Sequence, residues 1–129
     1  MNLYLTWGSE DMKKALGRWV GQGHVKDYED FVNKHGSQFP ATGQRSQIWE
    51  DVDRIGWYFN GIGFLVHEKF VDIGLVDRLF GYGVIDEWER MKVLVYGWRK
   101  QYNAPKSFGW FEYLANEMQK REQGGVKSG

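Results

Sequence analysis

Between Ser46 and Val71, the residues Ile48, Val52, Ile55, Phe59, Ile62 and Val66 recur at alternating steps of four and three. That spacing keeps six apolar side chains on one face of an α-helix. Around Trp57, Tyr58, Phe59, Ile62, Phe64, Leu65 and Val66 the same segment is apolar on nearly every side, so the helix must be enclosed by its neighbours. A chain carrying such a helix is committed to an all-α fold in which the remaining segments supply its cover. At 129 residues it has room for one continuous core and not for two.

The other segments read as those partners. Ser9, followed by Glu10 and Asp11, opens a helix over about 10–20 with Met12, Leu16, Trp19 and Val20 on one face, and Gly21 and Gly23 stop it. Asp27 to Lys34 gives a short helix closed by Gly36, and the stretch from Gly36 to Gly43, with Pro40, has the chemistry of a loop. The enclosed helix spans about 44–69. Asp72 caps a short helix from Ile73 to Phe80, with Leu75, Val76, Leu79 and Phe80 inward. Val84, Trp88, Met91, Val95, Trp98 and Tyr102 repeat the four-three step, predicting a helix over about 84–103 that ends ahead of Pro105. Ser107 then caps a last helix carrying Phe108, Phe111, Leu114, Ala115 and Met118. The expectation is a single-domain helical bundle over residues 1–121. Two long antiparallel helices, about 44–69 and 84–103, form its spine, shorter ones flank them, and 122–129 form a disordered tail.

Charge and composition exclude several classes of function. Seventeen Lys and Arg balance seventeen Asp and Glu, with both signs mixed through the chain, which leaves no basic footprint for nucleic acid. The absence of cysteine removes disulfides and thiolate chemistry and makes a reducing, cytoplasmic setting the default. No apolar run approaches the roughly eighteen residues that span a bilayer. The opening Met1-Asn2-Leu3-Tyr4-Leu5 lacks the pattern of a secretory signal.

No catalytic or metal site is expected. His67-Glu68 would suit a zinc helix only with a second histidine at position 71, which is Val71. Neither His24, His35 nor His67 has a glutamate three residues before it, as di-metal bundles require. No cofactor motif is present. A second stripe is more informative: Asp53, Gly56, Asn60, Gly63 and His67 also alternate three and four, and they are small or polar within an apolar surround. The glycines would let another helix cross closely while Asn60 and His67 satisfy nearby backbone groups. Alternatively the missing side chains leave a groove, flanked by Trp57 and Tyr58, in which Asn60 and His67 orient a small molecule or substrate. Arg99, beside Trp98, is placed to reach an acidic partner on another helix.

The run Phe64-Leu65-Val66, then Val71-Asp72-Ile73, Leu75-Val76-Asp77-Arg78-Leu79-Phe80-Gly81, Trp88-Glu89, Trp98-Arg99 and Phe111-Glu112-Tyr113-Leu114-Ala115 resembles a family of short uncharacterised prokaryotic domains, a domain of unknown function. The resemblance covers roughly residues 46–118 and rests on packing motifs. It implies a helical fold, with a membrane-spanning helix ahead of the domain in some relatives, and no activity or site residues.

Seven Trp, seven Tyr and eight Phe are more rings than so small a core easily hides. The leading expectation is therefore a non-enzymatic protein–protein interaction module, self-association as a homodimer included. Trp7, Trp57 and Trp110, which fall off the main stripes, are its candidate surface. The competing expectation is a small-molecule binder or enzyme using the groove beside Asn60 and His67.

Overall fold

The computed structural model describes residues 6–128, with side chains through Gly124. Among these residues there are helices and no strands. They are α1 (Glu10–Gly21), α2 (Tyr28–His35), α3 (Gln47–His67), α4 (Ile73–Phe80), α5 (Gly83–Gln101) and α6 (Gly109–Ser128). None of them is long and apolar enough to cross a membrane.

The helix ends follow local chemistry. Ser9 Oγ accepts from the Met12 N–H at 3.3 Å, and Asp27 Oδ1 from the Asp30 N–H at 2.7 Å. Gly36 closes α2 at φ 84°, its N–H donating to the Val32 carbonyl at 2.7 Å. α3 begins at Gln47 rather than Gln44 because Ser46 is extended at the N-cap position. At the other end of α3, Phe70 N–H donates to Leu65 O at 2.9 Å and Lys69 N–H to Val66 O at 3.1 Å. This closure normally puts glycine at its left-handed position; here Lys69 holds it at φ 68°. Asn103 takes the equivalent place after α5 at φ 50°.

α3 is enclosed as its stripe requires: Val52, Ile55, Phe59 and Ile62 are fully buried, and Ile48 and Val66 nearly so. Its neighbours, however, are not arranged as expected. The broadest approach of α3 is to α6, then to α1, whereas α5 packs chiefly on α6 and α2. The expected spine of α3 against α5 is therefore not the close helix pair. Large side chains stand between those two, with the Trp49 and Trp98 rings 6.1 Å apart, while α6 meets α3 where two glycines remove the side chains. Val20 and Leu75, expected inward, are exposed; Val76 is buried as expected, with Gly74 beside it on α4. α6 continues through Ser128, across residues whose glycines led us to expect a tail, and the Tyr82 hydroxyl donates to Glu122 Oε1 at 2.6 Å.

Two buried carboxyl groups differ in how they are held. Asp51, on α3, has a side chain 1% exposed and accepts from Arg18 Nε and Nη2 at 2.7 and 2.9 Å and from Gln47 Nε2 at 3.1 Å, tying α1 to α3. Glu87, on α5, has no such clamp. Arg90 Nε stands 3.8 Å from its Oε1, and neither its Oε2 nor the Trp19 indole N–H has a hydrogen-bond partner. Burial therefore raises the Glu87 carboxyl above its ordinary range, against smaller opposing effects of Arg90 and the nearby Trp19 indole.

Two predictions follow from these ends and burials. Lys69→Gly should raise stability in a urea melt by about 1 kcal/mol, because glycine adopts the left-handed conformation without steric cost. For Glu87, the folded state holds a proton more tightly than the unfolded chain, so this group lowers stability as pH rises from its ordinary value of 4.5 through its folded value. Glu87→Gln should flatten that part of the melting-temperature profile and melt above the wild type at neutral pH.

Candidate functional site

The small polar stripe of α3 lies against the start of α6. A Cβ on Gly63 would collide with the Trp110 carbonyl, and one on Gly56 with the Phe108 ring, so glycine is required at both positions for this crossing. Between them, Asn60 Oδ1 accepts from the Trp110 and Phe111 N–H groups at 3.0 and 3.1 Å. These are free donors of the first turn of α6, whose flanking residue Phe108 has no side-chain acceptor. Asn60 is thus the N-cap of α6, supplied from another helix. Ser107, the expected cap, instead accepts from Trp98 Nε1 at 2.8 Å.

The stripe therefore does not remain together as one groove. Gly56, Asn60 and Gly63 lie under α6. His67 is exposed at the end of α3, with Nδ1 2.9 Å from Glu68 Oε2 and its ring against Trp110 and Tyr113 at 4.6 and 5.3 Å. Asp53 lies at the other end and pairs with Arg45. The three candidate tryptophans also separate. Trp7 packs on Tyr58, Phe59 and Phe80, Trp110 on Phe64, His67 and Tyr113, and Trp57 stands in solvent with 63% of its surface exposed.

Beside Trp57 the chain forms an aromatic cleft of about 230 Å³. α3 contributes Asp53 and Trp57, the end of α5 contributes Trp98 and Tyr102, and the turn into α6 contributes Ala104, Ser107 and Phe108. Gln38 and Phe39 complete the lining from the loop after α2, which is held by Trp49 Nε1 donating to Gly36 O at 2.9 Å. The Trp57 and Trp98 rings lie 5.1 and 5.4 Å from Phe108, and Phe39 lies 5.1 Å from Tyr102. Phe108 is held at φ 53°, a strained conformation for an aromatic residue.

Arg99 fixes this corner. Its Nε donates to Ser107 O at 2.8 Å and its Nη1 to Glu112 Oε1 at 2.9 Å, so the acidic partner expected for it is found on α6. Arg45 bridges Glu50 and Asp53, with Nε 2.8 Å from Glu50 Oε1. Burial raises the Asp53 carboxyl above its ordinary range, opposed by the hydrogen bond and charge of Arg45. Gln38 is 5% exposed, and its Oε1 has no hydrogen-bond partner.

Of the lining residues, sequence reasoning named Asp53 and Trp57 as site candidates and missed the others, Gln38, Phe39 and Tyr102 among them. Phe39 carried a signal, being a large ring in a segment of turn chemistry with no periodic partner. Tyr102 continued the stripe of α5 and was therefore expected inward, but lies at the helix end where the core has stopped. Among the described residues, no cluster of three His, Asp or Glu side chains is placed to hold a metal ion.

The family model described as "Domain of unknown function (DUF4760)" matches residues 9–118, and the chain belongs to that family. No curated protein and no solved structure matches the chain.

The α3–α6 contact makes a graded prediction. Asn60→Ala should cost about 1–2 kcal/mol in a urea melt by leaving two helix N–H groups without an acceptor. Asn60→Asp should retain most of the stability, since a carboxylate suits a helix N-terminus. Gly63→Ala should cost more than Asn60→Ala, roughly 3 kcal/mol, because backbone must move.

Proposed function

We propose that this member of the DUF4760 family is a non-enzymatic protein–protein interaction module whose contact surface is the aromatic cleft between α3, the loop after α2 and the α5–α6 turn. The observation that carries the reading is the exposure of the rings at one place: Phe39 and Trp57 are each 63% exposed and Tyr102 37%. A ring removed from water contributes about 1.5–3 kcal/mol, and these three leave much of that unrealised in the isolated domain. Trp and Tyr are also the residues on which interfaces concentrate their binding energy. The cleft holds few polar groups against many apolar ones, which suits a side chain of a partner anchored among rings.

A second copy of the chain is one such partner, and sedimentation velocity from low to high micromolar concentration separates self-association from recognition of a different protein. The variant Phe39→Ala/Trp57→Ala should melt within a few degrees of the wild type, because both rings are largely in solvent. Used as bait beside the wild type, it should fail to retain the partner that the wild type retains. A partner set unchanged by the loss of both rings would count against the cleft.

A further inference from the structure

Two side chains of the cleft wall carry strong acceptor oxygens. Asp53 presents a carboxylate that Arg45 engages through Oδ2, and Gln38 Oε1 is a buried carbonyl oxygen that receives no hydrogen bond, so the wall holds one acceptor in want of a donor beside one charged acceptor. The faces of Trp57, Tyr102, Phe39 and Phe108 carry negative quadrupole potential and attract cations. Of the cations nearby, Arg45 is engaged by both Glu50 and Asp53, and Arg54 acts on the same Glu50. Arg99 is turned into the α5–α6 corner by Ser107 and Glu112.

Resting on the reading of this cleft as the contact surface, we infer that it takes an N–H-bearing organic cation, the guanidinium of an arginine side chain presented by the protein partner. A quaternary ammonium would meet the rings but could not donate to Asp53 or Gln38. A neutral apolar side chain would fill the space and leave the acceptors unanswered. An anion would face Asp53. The guanidinium is planar, weakly hydrated and able to stack on a ring while its edge donates hydrogen bonds, which matches rings and acceptors set around one hollow.

The test is a titration of the isotope-labelled domain with N-acetyl-arginine methylamide, followed by NMR at the Trp57 indole N–H and the Tyr102 amide. The citrulline counterpart keeps the shape and removes the charge, and tetramethylammonium keeps the charge and removes the N–H donors. Arginine should give a saturable shift at both positions, with citrulline and tetramethylammonium each binding about tenfold more weakly. Asp53→Asn should weaken arginine about tenfold and leave citrulline unchanged, and Trp57→Leu, at an exposed position, should abolish the preference for arginine. Equal binding of citrulline or of tetramethylammonium would overturn the inference while leaving the cleft a recognition surface. So would the absence of a saturable shift with arginine, and in that case the bait comparison decides the interaction reading separately.

Discussion

The close crossing of α6 over α3 is the contact on which the rest of the arrangement depends. Two glycines on α3 let the Trp110 carbonyl and the Phe108 ring approach where any side chain would keep them out. Asn60, between those glycines, receives the first-turn N–H groups of α6. Small volume and a hydrogen-bond acceptor thus act at the same place: the glycines permit the approach, and the amide fixes its register, because only one position of α6 puts two free N–H groups on one oxygen. Phe108 is carried into its left-handed conformation by this docking, its ring filling the space over Gly56.

A line of rings follows from that crossing. Trp19 meets Phe31, Phe31 meets Trp49, Trp49 meets Trp98, Trp98 meets Phe108 and Phe108 meets Trp57, each pair tilted or edge-on with centroids between 4.9 and 6.2 Å. The first five are buried, and the last stands in solvent, so the aromatic core continues to the surface at the cleft. Such contacts favour offset and perpendicular geometry over simple stacking, which makes a ring-built core directional in a way an aliphatic one is not. Phe108, the last buried ring of that line, braces Trp57 from the core side of the cleft.

The ion pairs sit at the margins of this core and tie its elements together. Arg18 and Asp51 join α1 to α3, Arg99 and Glu112 join α5 to α6, and Arg121 reaches Asp77 on α4 at 3.1 Å. The Arg99 pair holds the turn that supplies Ser107 and Phe108 to the cleft. Glu87 is the exception, a buried acid facing an indole N–H without a hydrogen bond between them, and it marks a place where stability at neutral pH is given up.

Periodicity made the helices legible, because the face a helix buries is written into steps of three and four along one chain segment. The boundaries of α1, α2 and α4 were equally local, fixed by Ser9, Asp27, Gly36 and Gly81. Family membership was legible in packing motifs of the same kind. The stripe of Gly56, Asn60 and Gly63 announced a special face, yet a glycine reads the same whether it floors a groove or admits a helix, and only the docking of α6 decided between them. The partner of α3 was likewise beyond sequence, since α5 and α6 both offer it an apolar face and the choice depends on which side chains must be absent at the crossing. The cleft was the least visible of all. Its lining comes from three stretches far apart in the chain, 38–39, 53–57 and 98–108, and their meeting is a property of the tertiary fold because it exists only once the glycine crossing has brought α6 down onto α3.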